Sequence, residues 1–299
     1  MLKCAACGSD DFWDFLDVYD NRGQLHPFAR CQSCRLAQAR VPPAAEELAA
    51  FYARYAYDSE AAWESSLATE RSLERLGRKL APYRQQGRLL DVGCGSGILL
   101  RALRRQGWTV EGTELSGVAV EQLRAQGLTV HYGSVETLEL QTADYDVVVM
   151  SETIEHVLDP MRAVRFARRT LRPGGVLFLT TPNVDSLSRR LLGAKWRALC
   201  YPDHLFCFNR RSMHALLREA GLKPAAVWTE GINPYEIIGV LRGGRLQSSE
   251  RMIRRAEALR AATVTSTTYS WLKSSVNTLL DTLHLGDTLK ALAENPHHS

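Results

Sequence analysis

The chain lacks the features that mark a secreted, membrane-spanning or nucleic-acid-binding protein. The N-terminal residues Met1 to Cys4 lead into no apolar stretch of signal-peptide length, and no window of the sequence approaches a transmembrane span. The formal net charge of +4 over 299 residues is too small for a surface that binds nucleic acid. No internal repeat or low-complexity stretch is visible. These absences predict a cytoplasmic, globular protein whose 45% hydrophobic residues suffice for one large core with small appendages.

A disulfide framework is not indicated either, because of the way in which the seven cysteines are spaced. Four of the seven cysteines form two Cys-x-x-Cys pairs, Cys4 with Cys7 and Cys31 with Cys34. Two such turns supply four thiolates to one tetrahedral ion, so we predict a structural zinc ribbon, with a redox pair as the alternative. The 23 residues between the pairs are long enough for a hairpin, whose small core we predict to be Phe12, Trp13, Phe15 and Tyr19. The other three cysteines are predicted to be small buried side chains: Cys94, Cys200 and Cys207.

The most informative motif is the run from Leu89 to Gly97, which reads LLDVGCGSG. It predicts an apolar strand that ends in Asp91, a turn built on three glycines, and a helix from Ile98 to Gln106. Glycine lets the backbone turn sharply and lets a ligand approach the N–H groups at a helix N-terminus, so the turn favours a nucleotide-like ligand. The next predicted strand, Trp108 to Leu115, brings up Glu114, whose carboxylate is suited to hold a ribose diol.

Three further stretches follow this motif in order. Gly133 to Glu136 comes after a short strand, Asp144 to Met150 is predicted as a buried strand, and Leu171 to Leu179 as a helix end, a glycine turn and a strand. With these stretches, the sequence resembles the class I S-adenosylmethionine-dependent methyltransferases over roughly residues 86–231. The runner-up, a dinucleotide oxidoreductase, requires G-x-G-x-x-G, whereas this turn is G-x-G-x-G.

The resemblance implies a Rossmann-like, doubly wound α/β sheet that binds S-adenosylmethionine. By resemblance, the methionine end of the cofactor would be lined by Asp91, Gly93, Gly95 and Gly97. Glu114 would bind the ribose, and Ser134 and Val135 would lie near the adenine. Strand seven of such sheets, usually the antiparallel one, is not evident, because the chain from Tyr235 onward is predicted to be helical apart from glycine interruptions.

A set of ligating side chains follows the predicted strand Asp144 to Met150. Glu152, Glu155 and His156 have E-x-x-E-H spacing, and His204 lies in a later loop. On a helical turn, positions i, i+3 and i+4 share one face, here at the carboxyl end of a parallel strand where open α/β sheets place their ligands.

The set resembles that of metal-dependent O-methyltransferases acting on the 3′-terminal ribose of small RNAs and on catechol intermediates of ubiquinone synthesis. That resemblance implies a divalent ion held by all four side chains, with two adjacent substrate hydroxyls completing its shell. The alternative is that His156, next to Glu155, acts as a metal-free general base.

We therefore divide the chain into a zinc ribbon (1–40), a helical linker or cap (41–85), a methyltransferase core (86–231) and a helical C-terminal segment (232–299) that caps the site or forms a dimer contact. The predicted activity is O-methylation of a hydroxyl on a sugar, a glycan or a related small molecule. Two alternatives remain. A four-cysteine knuckle followed by a methyltransferase core also resembles enzymes that C-methylate nucleotide-activated sugars. The second alternative is a zinc-ribbon interaction protein that binds cofactor without turnover.

Overall fold

The computed structural model describes residues 2–20, 23–53, 67–140, 144–232, 236–237 and 267–297. The strands in these ranges are β1 (Phe12–Tyr19), β2 (Leu25–Cys31), β3 (Ala37–Ala39), β4 (Arg88–Val92), β5 (Thr109–Glu114), β6 (Thr129–Tyr132), β7 (Tyr145–Ser151), β8 (Leu171–Pro182), β9 (Phe206–Cys207), β10 (Lys223–Glu230) and β11 (Thr288–Glu294). The α-helices are α1 (Ala45–Ala53), α2 (Leu67–Leu80), α3 (Ile98–Arg105), α4 (Gly117–Ala125), α5 (Pro160–Thr170), α6 (Leu187–Leu192), α7 (Arg210–Glu219) and α8 (Thr267–Thr282). None of the described helices combines the length and the apolar character needed to cross a membrane.

The larger sheet has the strand order β10-β11-β8-β7-β4-β5-β6. Strand β4 pairs in parallel with β5 and β7, and these two pair in parallel with β6 and β8. Both faces are covered: Leu89 of β4 packs into one apolar cluster and its neighbour Leu90 into another. Near-continuous apolar strands are expected when helices cover a parallel sheet on both sides. The predicted Rossmann-like α/β fold is confirmed.

The C-terminal segment corrects one prediction. Thr288–Glu294, predicted as helix, forms β11, which runs antiparallel between β8 and β10 and is therefore the strand that the sequence did not reveal. Its residues Leu289, Ala291 and Ala293 are fully or almost fully buried, which is the alternation of a strand. Leucine and alanine favour helices, but pairing on both sides overrides this propensity. Helix α8 agrees with the helical prediction, and residues 238–266 lie outside the described ranges.

Within the linker the sequence predicts helices from Glu46 to Tyr57 and from Trp63 to Tyr83, and the described residues of both are helical. Helix α1 occupies the N-terminal part of the predicted helix Glu46 to Tyr57, and α2 with a short 3₁₀ turn (Ala81–Tyr83) occupies the predicted helix Trp63 to Tyr83. The remaining residues of both predictions, 54–57 and 63–66, lie outside the described ranges.

A small antiparallel sheet, β1-β2-β3-β9, carries the four-cysteine module. The predicted hairpin is formed by β1 and β2, but its predicted core is wrong in part: Tyr19 is 67% exposed, and Val18 and Phe28 are buried instead. The register of the strand turns Val18 inward, and adjacent strand residues point to opposite faces. Strand β9 lies within the core, between α6 and α7, so this module is continuous with the core through a shared sheet.

A buried carboxylate fixes the start of β4. Asp146 of β7 accepts hydrogen bonds from the backbone N–H groups of residues 85–88 and pairs with Arg172 of β8. Burial alone disfavours its charged form, but Arg172 and the N–H donors hold the pKa of Asp146 below its ordinary value. The start of β4 is thereby tied to β7, its neighbour in the sheet, and through Arg172 to β8.

Candidate functional site

A cavity of about 1060 Å³ opens at the carboxyl ends of the parallel strands. Open α/β sheets bind their ligands at this edge, where the strand order reverses. Of the predicted cofactor residues, those that line the cavity are Asp91, Gly93, Gly95, Glu114, Ser134 and Val135. Gly97 does not line it: an added Cβ there would lie 2.4 Å from Leu123 Cδ2, so this glycine allows α3 and α4 to pack. The structure thus brings all but one of these residues to a single wall.

The glycine turn is held by Glu114 at the end of β5. One carboxylate oxygen accepts from the Gly95 N–H at 2.9 Å, and the other from the N–H groups of Leu115 and Ser116 at 2.7 and 2.8 Å. Gly93 has a φ of 71°, and a Cβ there would lie 2.8 Å from Thr153 Cγ2, so a side chain is excluded on both counts. The carboxylate is oriented by the backbone before any ligand arrives.

Asp91 is the second acid on this wall. It is 3% exposed, and burial together with the charge of Glu114 raises the pKa of Asp91 to about 8. A buried acid that borders a cavity is suited to a ligand carrying a positive charge, because the cation restores the ionised form. This suits the ammonium group of the predicted cofactor, and Glu114 suits its ribose diol.

A second polar group, around the loop after β7, reaches the same cavity through His156. Glu155, His156 and His204 each offer one ligand atom, and the three atoms lie within 4.8 Å of one another. Both histidines are oriented by their Nδ1 atoms: His156 Nδ1 is 2.8 Å from the Asp203 carbonyl oxygen and His204 Nδ1 is 2.9 Å from that of Ala198. Each Nδ1–H therefore donates to a carbonyl, so Nε2 is the atom that carries the lone pair in the neutral ring and can bind a ligand.

Glu155 is the buried centre of this group. Its side chain is fully buried, and neither carboxylate oxygen has a hydrogen-bond partner among the described residues. His156 Nε2 lies 3.9 Å from Glu155 Oε1. Buried carboxylates without partners are rare because their desolvation is uncompensated. A carboxylate and two imidazoles with fixed tautomers are a donor set for a divalent ion, and the residues present fit one.

Glu152 lies beside this set rather than within it. The sequence predicts a helical turn that places it on one face with Glu155 and His156, but the segment is not helical, and Glu152 has a φ of 51°. Its Oε1 accepts from Thr180 Oγ1 at 2.8 Å, and its carboxylate borders the cavity. The structure therefore brings together three of the four predicted ligands, and the helical-face geometry is wrong.

The charges within the group are strongly coupled. Burial, then the neighbouring charge of Glu152, raises the pKa of Glu155 to about 8. Burial disfavours the His156 cation, but the hydrogen bond to Asp203 and the charge of Glu155 together raise its pKa to about 9. Burial and the charge of His156 lower the pKa of His204 to about 4. A cluster in which two acids and two imidazoles compete for protons is typical of a functional site.

Two residues of the site escape prediction from the sequence. Asp203 Oδ1 lies 3.1 Å from His156 Nδ1, and the Tyr52 hydroxyl donates to the same carboxylate at 3.3 Å. The signal that could have pointed to Asp203 is its position next to His204 in the sequence. Tyr52 comes from α1 and has no local signal. His204 also forms a group with Cys200 and Asp203, but Asp203 is engaged by His156, so the set with Glu155 is the better donor set.

The four N-terminal cysteines converge as the spacing predicts. Cys4 Sγ lies 3.4 Å from Cys34 Sγ and Cys7 Sγ lies 3.7 Å from Cys31 Sγ, and all four sulfurs lie within 4.8 Å of one another. Four sulfurs at about 2.3 Å from a tetrahedral ion are roughly 3.8 Å apart, so the set fits zinc. All four cysteines are free rather than disulfide-bonded.

The cysteine module is hydrogen-bonded to the loop that carries His204. The Ala39 N–H of β3 donates to the Leu205 carbonyl at 2.9 Å, and the Leu205 N–H donates to the Glu155 carbonyl at 2.9 Å. Gln38, which is buried, bonds with its side-chain amide to the backbone of Lys3 and Ala5 on either side of Cys4. A chain of contacts therefore runs from the first Cys-x-x-Cys turn to the donor set.

Comparison with known proteins identifies the family to which this fold belongs. A family model described as a methyltransferase domain matches residues 64–227. The ubiquinone biosynthesis O-methyltransferase of Bordetella avium is 31% identical over 179 residues, which cover 56% of this chain and 74% of that protein. Its namesake in Cereibacter sphaeroides is 34% identical over 170 residues, covering 52% and 69%. A solved S-adenosylmethionine-dependent methyltransferase of Thermotoga maritima shares the fold, with a TM-score of 0.52 at 19% identity over 83% of this chain and 99% of that one.

Proposed function

The chain belongs to the methyltransferase domain family and is an S-adenosylmethionine-dependent methyltransferase, and on this premise we propose that it methylates a hydroxyl oxygen of a small molecule that carries two adjacent hydroxyls. We further propose that Glu155, His156 and His204 hold a divalent ion beside the methyl donor. The observation that carries the proposal is the convergence of these three ligand atoms, with both Nδ1–H groups bonded to carbonyls, beside the cavity that His156 lines together with the glycine turn. The names of the curated relatives support transfer to oxygen.

The described residues have separable roles in this reaction. Asp91 and Glu114 bind and orient the cofactor, and the Gly95 N–H lies in the turn beneath it. Asp203 and the Ala198 carbonyl fix the rings of His156 and His204, and Glu152, at the border of the same cavity, stays the predicted fourth ligand. Leu48 and Tyr52 of α1 line the same cavity, and their apolar surface would help to keep water from the reacting groups.

A bound divalent ion would supply acidity to the acceptor hydroxyl, because a Lewis acid lowers the pKa of an oxygen that it binds. Positioning accounts for much of the remaining rate, since an oriented nucleophile and methyl group react as one bound pair. A sugar diol and an aromatic diol satisfy this geometry equally well, so the predicted sugar acceptor becomes one member of a wider class. Transfer to carbon on a nucleotide-activated sugar would not use two adjacent oxygens at the donor set.

The cysteine module is proposed to bind structural zinc through Cys4, Cys7, Cys31 and Cys34. A site closed by four thiolates has no open position for substrate, so its contribution is to folding rather than to chemistry. Its attachment to the His204 loop places that contribution next to the donor set. Metal analysis of the reduced protein tests the zinc directly.

An acceptor panel tests the proposed reaction. Purified protein is incubated with methyl-labelled S-adenosylmethionine and either catechol, a cis-diol sugar, or phenol as the matched acceptor with one hydroxyl. We expect transfer to at least one diol and none to phenol, and loss of transfer in His204→Ala but not in the control His214→Ala, which lies on α7 outside the cavity. Equal transfer to phenol and catechol would contradict the role of two hydroxyls.

A further inference from the structure

A row of four side chains crosses the sheet beside the donor set. Ser151 of β7 lies opposite Thr180 of β8, Thr180 opposite Lys290 of β11, and Lys290 opposite Trp228 of β10. Directly opposed residues on neighbouring strands project to the same face of a sheet. All four side chains line the cavity, so the row forms its floor from the donor set toward the sheet edge.

The far end of this row carries positive charge next to an aromatic ring. Lys290 Nζ pairs with the Glu230 carboxylate, and Lys79 of α2 places its Nζ 3.4 Å from the centroid of the Trp228 ring. Burial and then the charge of Lys290 lower the pKa of Lys79, which shows that the two ammonium groups are close enough to repel each other. Lys79 makes no ion pair with any residue that the structure describes.

The described acids on this side of the cavity do not balance the lysines. Glu230 faces both ammonium groups, and Glu152, the other acid near Lys290, accepts the Thr180 hydroxyl. Arg75 of α2 adds a third cation to the same lining. Three cations and two carboxylates leave a positive charge beside an indole face, which is a binding environment for a planar or apolar molecule with an anionic group.

We propose that Lys79 and Lys290, with Trp228 as the apolar wall, bind an anionic group of the acceptor, a carboxylate or a phosphate. The proposal rests on the proposed function, because it takes the acceptor hydroxyls to lie at the donor set. Neighbouring strands are about 4.8 Å apart, so Lys290 lies roughly 10 Å along the row from Ser151. The acceptor is then an elongated molecule, with two adjacent hydroxyls at one end and the anionic group at the other.

The same positive charge would also suit the carboxylate of the cofactor, since α2 covers both parts of the cavity. Two ligand pairs separate these sources. Caffeate and its methyl ester differ only in the charge at the end remote from the two hydroxyls. S-adenosylhomocysteine and 5′-methylthioadenosine differ in the presence of the amino acid group of the cofactor.

The experiment is calorimetric titration of the reduced, manganese-loaded protein saturated with S-adenosylhomocysteine. We expect caffeate to bind about tenfold more tightly than its ester, and Lys79→Met or Lys290→Met to remove that difference while leaving the affinity for the ester unchanged, because one charge-assisted contact is lost. The control Lys223→Met, at the opposite end of β10, leaves both affinities unchanged. The double variant Lys290→Met/Glu230→Gln avoids leaving Glu230 without its cation and is expected to behave like Lys290→Met.

Equal affinity of the wild-type protein for caffeate and its ester would overturn the proposal. So would a tenfold loss of S-adenosylhomocysteine affinity in the lysine variants with 5′-methylthioadenosine unaffected, because the anion would then belong to the cofactor. Binding does not need turnover, which keeps the two proposals separable. Charge-dependent binding without methylation of any diol contradicts the proposed function alone, and methylation with charge-independent binding contradicts the anionic subsite alone.

Discussion

The substitution Glu114→Gln isolates the contact that is proposed to hold the cofactor ribose. In the structure, Glu114 Oε1 accepts from two backbone N–H groups and Oε2 from the Gly95 N–H. A glutamine amide has one oxygen, and the two N–H donors of Leu115 and Ser116 will hold it at the Oε1 position. The amide NH₂ then faces the Gly95 N–H and the ribose hydroxyls, so an acceptor is replaced by a donor where an acceptor is needed.

The expected loss follows from one charge-assisted hydrogen bond to the ribose. Such a bond contributes about 1.5–3 kcal/mol, which corresponds to a roughly 10- to 150-fold weaker affinity. Calorimetry with S-adenosylhomocysteine measures this change. The control is Glu111→Gln on the same strand, whose carboxylate pairs with Arg88 and His131 and does not line the cavity, so cofactor affinity should not change.

A ligand without the ribose 2′-hydroxyl distinguishes a direct contact from support of the turn. The wild-type protein should bind 2′-deoxy-S-adenosylhomocysteine more weakly than the parent compound, and Glu114→Gln should bind the two more nearly alike. If the substitution weakens both ligands by the same factor, Glu114 acts only by holding the glycine turn, and the ribose contact is refuted.

Three further outcomes follow from other buried groups. The pKa of Asp91 is about 8 in the free protein, and a cationic ligand favours its carboxylate. Binding of S-adenosylhomocysteine at pH 7 should therefore release roughly one proton, and the affinity should rise as the pH approaches 8. Calorimetry in two buffers of different ionisation enthalpy measures the proton release. Asp146→Asn should lower the free energy of unfolding in urea by about 3–5 kcal/mol, because it leaves Arg172 without its buried partner. The stability contributed by the Asp146 carboxylate is present above the ordinary aspartate pKa of about 3.9 and is lost as the pH falls toward the lowered pKa of Asp146 in the folded protein. An unchanged urea midpoint in Asp146→Asn would contradict this prediction. Cys31→Ser should release zinc and weaken manganese binding at the donor set without changing cofactor affinity; retained manganese affinity would show that the cysteine module and His204 are independent.

The cofactor half of the site could be predicted because its determinants are local. Backbone angles with positive φ favour glycine, and an acid at the end of one strand reaches the turn after its neighbour, so Gly93, Gly95 and Glu114 reveal their roles through spacing alone. The Cys-x-x-Cys pairs are equally local, and the four sulfurs converge. A pattern of three or four residues is therefore enough to predict the glycine turn and the cysteine module.

The remaining features depend on contacts between distant segments. Strand β11 is specified by the gap between β8 and β10 rather than by its own composition, which favours a helix. Lys290 and Trp228 become neighbours only through that insertion. Tyr52 reaches Asp203 across 151 positions of the sequence, and Glu152, with a φ of 51°, is held by a hydrogen bond from its backbone N–H to the Thr180 carbonyl of β8. None of these arrangements leaves a periodic signal in the sequence.

The most direct test of the account is methyl transfer to a diol acceptor before and after removal of the divalent ion. The protein is treated with a chelator until metal analysis shows only the zinc of the cysteine module, and transfer from labelled S-adenosylmethionine to the best diol is measured with and without added manganese. The account predicts that transfer is lost while S-adenosylhomocysteine affinity is unchanged, and that manganese restores transfer in the wild-type protein but not in His204→Ala. Full transfer by the chelated protein would contradict it and leave His156 as a metal-free base.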